Sequence, residues 1–134
     1  MDLVPETLSL PARTAALTRA CLRFCALRGW SPVAEMPLPN GRRADLLALL
    51  PDGGFAAIEV KSGARDFLSD AKWPEYRDYC DRFYFAVDLD FPRELLPEDA
   101  GLLVAEDREA VLVREAPSHP ARGNRQRPRP PANS

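Results

Sequence analysis

Three features of this chain predict an α/β fold built on a mixed β-sheet. A helix-length amphipathic stretch opens it, and three short apolar runs follow in close succession. A second helical stretch then leads into a strongly β-forming run, Arg82-Phe-Tyr-Phe-Ala-Val87. Strands joined by short turns pair antiparallel, whereas a helical crossover returns the chain to a parallel neighbour. The order helix, three strands, helix, strand, closing hairpin therefore gives a mixed sheet with helices packed on it.

The elements follow in order. Residues 1–10 read as a lead-in. Pro11 to Arg28 is helical, with Leu17, Cys21, Phe24, Cys25 and Leu27 forming an apolar stripe and Arg13, Arg19 and Arg23 off it. Gly29 fits the helix stop. A first strand lies around Val33–Met36, ended by Pro37 and Pro39. The second strand is Arg43–Leu50 and the third Phe55–Lys61. Both are apolar on two faces, which places them inside a covered sheet. Asp66 to Tyr79 reads as helix in two pieces, because Pro74 cannot donate a hydrogen bond within one. Residues 88–100 form an acidic, proline-punctuated loop. Gly101–Ala105 and Ala110–Arg114 make the hairpin. From Pro117 to Ser134 the chain holds five prolines and four arginines and no large apolar residue, so 1–116 reads as the domain and 117–134 as a disordered tail.

Composition narrows the function. Hydrophobic residues at 46% and charged residues at 28% are ordinary for a soluble domain. No apolar run approaches the ~20 residues of a membrane span, and the first residues lack a secretory signal. A cytoplasmic protein without a membrane partner is the expectation. Three cysteines and one histidine, His119, argue against a structural zinc site and against Ser-His-Asp or Cys-His catalysis; buried free thiols are expected instead. Residues 1–116 carry 14 basic and 20 acidic side chains, whereas the tail carries four arginines and no acid. The body is therefore no general polyanion binder. Contact with nucleic acid would need a local patch, a metal or the tail.

The third strand holds the principal chemical signal. Glu59 and Lys61 stand two apart in Phe55-Ala-Ala-Ile-Glu-Val-Lys61, so they share a strand face. Asp45 lies in the preceding apolar strand, across the turn Pro51-Asp-Gly-Gly54. Two carboxylates and a lysine from neighbouring strands suit a Mg²⁺ site for phosphodiester chemistry, with Mn²⁺ as a substitute. Asp45 and Glu59 are the metal ligands in this reading, and the Val60 carbonyl adds a third oxygen. Lys61 orients water and stabilises transition-state charge. The face condition requires an odd-length turn or a bulge between the strands. A three-residue turn Asp52–Gly54 with one glycine at positive φ would set Asp45 opposite Lys61. A solvated surface ion pair is the plainer alternative for Glu59 and Lys61.

Asp45, a 13-residue gap, then Ile58-Glu-Val-Lys61 resembles the PD-(D/E)xK nuclease superfamily, with its restriction-endonuclease-like fold. Gly41-Arg-Arg-Ala-Asp45, Ile58-Glu-Val-Lys-Ser62, Asp66-Phe67, Asp70-Ala-Lys-Trp73, Tyr76 and Cys80-Asp-Arg-Phe-Tyr-Phe-Ala-Val87 together resemble the MmcB-like DNA repair proteins, over about residues 13–115. The resemblance implies a restriction-endonuclease-like mixed sheet, with Asp45, Glu59 and Lys61 at the metal-binding and catalytic positions. Ala44 replaces the proline usual before the motif aspartate. The basic C-terminal helix of such proteins is replaced by Pro117–Ser134.

Arg42 and Arg43 flank the site, and Arg65 and Lys72 lie on or near the following helix; all four are candidates for phosphate contact, with acid pairing or solvation as the alternative. Trp73 and Tyr76 read as core before base-stacking residues. Asp66 and Asp70 read as solvated helix charges, and Glu35 is a further carboxylate from the first strand. Two functions stay open on this evidence. One is a Mg²⁺-dependent deoxyribonuclease in DNA repair. The other is a non-catalytic accessory with the same fold that binds DNA or other repair proteins. A domain with one site would need a homodimer to cut both strands at once.

Overall fold

A computed structural model describes residues 10–69, 73–106 and 108–118. One six-stranded sheet forms its centre, in the order β1-β2-β3-β4-β5-β6. The strands are β1 Ser31–Pro37, β2 Arg43–Leu49, β3 Phe55–Lys61, β4 Arg82–Asp88, β5 Gly101–Glu106 and β6 Glu109–Arg114. The first three pair antiparallel, β3–β4 and β4–β5 pair parallel, and β5–β6 close as an antiparallel hairpin. The mixed α/β sheet expected from the strand pattern is therefore observed. The parallel β4–β5 step was not anticipated. It is made by residues 89–100, a loop holding one 3₁₀ turn, Arg93–Leu95.

Helix α1, Leu10–Arg28, covers one face of the sheet. Leu17, Ala20, Cys21, Phe24 and Cys25 pack on Leu46, Ala48, Ile58, Val60, Tyr84 and Leu103. The helix ends where Gly29 takes φ +74, a left-handed conformation that glycine adopts without a Cβ clash. Its N–H donates to Ala26 and that of Trp30 to Cys25, which satisfies two otherwise orphaned carbonyls. Trp30 then meets Phe24 edge to face at 5.5 Å, fixing the exit of the chain.

The other face is covered by helix α2, Ala64–Ser69, and a 3₁₀ segment, Trp73–Tyr79. Two helical pieces were expected with Pro74 as the cause; the described residues form an α-helix and a 3₁₀ segment, and Pro74 is the second residue of the latter. Trp73 stacks on Phe83 and meets Phe85 edge to face, and Tyr76 stacks on Phe83, so both aromatics serve the core. Cys21, Cys25 and Cys80 are free and buried. Burial pushes their thiols up, to about 12, 11 and 12 respectively. Asp70, Lys72, His119 and the tail beyond Ser118 lie outside the described residues. No helix among the described residues is long and apolar enough to cross a membrane.

Candidate metal centre

The β2–β3 turn decides whether Asp45 and Glu59 can meet. Leu50 N–H donates to Gly54 O at 2.8 Å, and Gly53 N–H to Leu50 O at 2.9 Å. The connection is therefore the three-residue turn Pro51-Asp52-Gly53, with Gly53 at φ +91. Its length meets the odd-number condition, but it starts one residue earlier than the expected Asp52–Gly54. The register follows: Leu49 opposes Phe55 and Leu46 opposes Ile58. Continued by one step, it sets Asp45 across from Glu59, not from Lys61. The correction keeps Asp45 and Glu59 on one face.

Backbone pairing of β2 with β3 stops at Leu46 and Ile58. Beyond it the side chains take over. Asp45 Oδ2 accepts the Val60 N–H at 2.8 Å, and Glu59 Oε2 accepts the Asp45 N–H at 3.0 Å. Each carboxylate thus caps an amide of the opposite strand. Burial raises the Asp45 carboxyl above its ordinary value; the Val60 amide, the Lys61 charge and the Glu59 contact oppose that, and Asp66 adds to it.

Glu59 and Lys61 are 3% and 6% exposed, too buried for a solvated surface pair. Val60 directs its N–H toward β2, and an extended residue points its carbonyl to the same side. The Val60 carbonyl therefore faces the gap between the strands. Among the described residues no group of three His, Cys, Asp or Glu side chains is placed to hold a metal ion. The donor set is two carboxylates and this backbone oxygen. It fits Mg²⁺, which takes one or two carboxylates and fills the remaining positions with water and phosphate oxygens.

The other candidates are placed differently. Arg42 pairs with Glu75 at 3.1 Å, and Arg43 with Glu35 at 3.5 Å on the open surface. Glu35, held at φ +54 in β1, thus faces an arginine, and Arg65 is exposed on α2. Sequence reasoning missed four residues at the outer end of the site. Lys61 pairs with Val87 across the parallel β3–β4 ladder, so Ser62 and Asp88 are the next residues out. Ser62 shares a hydrogen bond with Thr14 at 3.0 Å, and Arg13 reaches Asp88 at 2.5 Å. The C-terminal edge of adjacent parallel strands was the available signal.

The MmcB-like family, described as DNA repair protein MmcB-like, matches residues 5–128. This chain belongs to the MmcB-like family. The match runs past both ends of the blocks that carried the resemblance, into the proline- and arginine-rich segment. Membership supports a role in DNA repair. Among solved structures, a protein of unknown function from Silicibacter pomeroyi is 40% identical, with a TM-score of 0.76; the similarity covers 85% of this chain and 76% of that one. No curated protein matches the chain.

Proposed function

We propose that this MmcB-like protein is a metal-dependent deoxyribonuclease of the PD-(D/E)xK type. The observation that carries the reading is the end of the β2–β3 ladder. Pairing stops there, Asp45 and Glu59 reach across to the opposite strand, and Glu59 and Lys61, on one strand face, are almost fully buried. Asp45, Glu59 and the Val60 carbonyl would hold Mg²⁺ or Mn²⁺. When bound, the cation would supply charge neutralisation at the phosphoryl oxygens and a more acidic water.

The remaining chemistry belongs to the chain. The Lys61 ammonium, on the same strand face as Glu59, offers donors to a water and to a non-bridging phosphate oxygen. Its buried position makes that charge count for more than at the surface. Ser62 and Thr14 pair on the α1 side of the same strand end.

A non-catalytic accessory that binds DNA or repair proteins is favoured by a different observation. Both carboxylates are already engaged with backbone amides, and Arg42 and Arg43 with acids. Incubation of the protein with single-stranded, duplex, flap and junction DNA in Mg²⁺ and Mn²⁺ separates the two. The nuclease reading expects cleavage that EDTA stops and that Asp45→Ala and Glu59→Ala abolish while remaining folded. Binding in EDTA with no cut in either metal selects the accessory.

A further inference from the structure

A second cluster of charge lies away from the carboxylates. Arg19 and Arg23 stand four apart on α1 and so share a helix side. Arg23 Nε donates to the Arg108 carbonyl at 2.9 Å, which ties the β5–β6 turn to the helix. Ala16, Arg19, Arg23 and Arg108 enclose a cavity of about 260 Å³. All three arginines are exposed, and among the described residues none pairs with a carboxylate.

Three arginines line one hollow, and their positive charges favour an anion there. Such a cluster stands out on a body whose acids outnumber its bases. Phosphate suits it, because the planar fork of arginine grips phosphate oxygens in pairs and Ala16 leaves the floor open. A wider groove of about 780 Å³ continues past Arg19 and Arg108 to Glu106, Glu109 and Val111. The two glutamates repel a polyanion there, which confines phosphate to the arginine end.

The cluster lies on the outer side of α1, the helix that covers the sheet face opposite the one Glu59 and Lys61 share. Thr14 on the first turns of α1 touches Ser62, next to Lys61. At 1.5 Å per residue, Arg19 and Arg23 stand roughly 8 and 14 Å further along the helix axis. We propose that Arg19, Arg23 and Arg108 form a phosphate-binding subsite for the DNA backbone, separate from the carboxylates. The identity of the ligand as DNA rests on the reading given under Proposed function; the subsite itself does not need turnover.

The test is the salt dependence of affinity for a fluorescein-labelled DNA duplex, measured by anisotropy in EDTA on the full chain. Removing two phosphate contacts with the double variant Arg19→Ala/Arg23→Ala should lower the magnitude of the log–log salt slope by about 1.8 and weaken binding about tenfold near 0.1 M salt. Arg108→Ala should lower the slope by about 0.9. Arg19→Lys/Arg23→Lys should keep the slope, and melting temperatures should stay level because these side chains are exposed. Unchanged slope and affinity in the double variant overturn the subsite, as does a wild type that binds no DNA. Cleavage in Mg²⁺ or Mn²⁺ is scored separately. Weakened binding by the arginine variants in a protein that never cuts keeps the subsite and removes the nuclease. Cutting with unchanged binding does the reverse.

Discussion

Replacing Asp45 with asparagine should stabilise the metal-free protein and remove its response to Mg²⁺. Asparagine keeps the shape, its Oδ1 can accept the Val60 N–H, and its Nδ2 can donate to Glu59. What disappears is a half-buried charge held against a second carboxylate. An isosteric loss of a poorly compensated charge is worth about 1 kcal/mol, which is roughly 3–5 °C in melting temperature for a domain of this size. The pH dependence has a definite sign. Burial raises the folded Asp45 carboxyl above the ordinary aspartate value of 3.8. Between that value and the folded one the native state binds more protons than the unfolded state, so Asp45 lowers stability as pH rises. Wild type should therefore gain on the variant as pH falls toward 4 and lose to it at pH 7.5. Mg²⁺ acts oppositely. At ten times its dissociation constant it adds about 1.4 kcal/mol to any protein that binds it natively. Wild type at pH 7.5 should then melt roughly 4–7 °C higher with the metal, and Asp45→Asn should not move. Differential scanning fluorimetry across pH 4–8, with and without Mg²⁺, reads all of this. Equal Mg²⁺ shifts in the two proteins, or a variant less stable than wild type at pH 7.5, would refute the reasoning.

Three further outcomes follow from the same geometry. Lys61→Gln should cut cleavage at least about 100-fold while leaving DNA affinity in EDTA near wild type, as judged by single-turnover assays and anisotropy. Gly101→Ala should destabilise by about 1–3 kcal/mol in urea unfolding, because a Cβ there would lie 2.7 Å from the Tyr84 ring and 2.9 Å from the Ala116 methyl. The three thiols should resist a disulfide reagent at pH 8 and all react in urea, since burial has raised each of them well above that pH.

Much of the fold was legible in residue patterns, because local rules and the global arrangement agree there. The Arg82–Val87 run and the apolar β3 could hardly be anything but interior strands. Gly29 marked a helix end, and Pro74 a stretch that is 3₁₀ and not α, through backbone chemistry alone. The β2–β3 register was legible only as a condition on turn length. Three residues were required and three are present, but the position of the turn depended on which glycine takes the positive φ. Pro51 was the missed clue, since its fixed φ suits the first turn residue and leaves Gly53 for the left-handed one. The partners of Arg42 and Arg43 were legible in sign and not in identity. An acid-rich body favours pairing, yet Glu75 reaches Arg42 only because the 3₁₀ segment folds back beside the β1–β2 turn, where Asn40 also donates to the Glu75 carbonyl. Arg13, Thr14, Ser62 and Asp88 meet through contacts 48 and 75 residues apart in sequence, which no local pattern carries.

The way β2 parts from β3 is itself an argument about the site. A regular ladder continued past Leu46 and Ile58 would satisfy the same amides with backbone carbonyls and leave no polar side chain to bury. The chain instead buries Glu59 and Lys61 and lets two carboxylates stand in for the missing ladder bonds. Stability alone does not call for this, because replacing buried charges with apolar residues of similar volume is often neutral or favourable. What the end of the ladder does supply is a set of oxygen donors: two carboxylates that reach across between the strands, beside the Val60 carbonyl. The hydrogen bonds that hold them are ones a divalent cation can displace, since a carboxylate oxygen that accepts an amide proton keeps lone pairs for a metal. On the function proposed here, the same two side chains would complete the sheet in the free protein and hold the ion in the loaded one. A structural ion pair would explain Glu59 with Lys61, but it leaves the reciprocal reach of Asp45 and Glu59 across the gap without a cause.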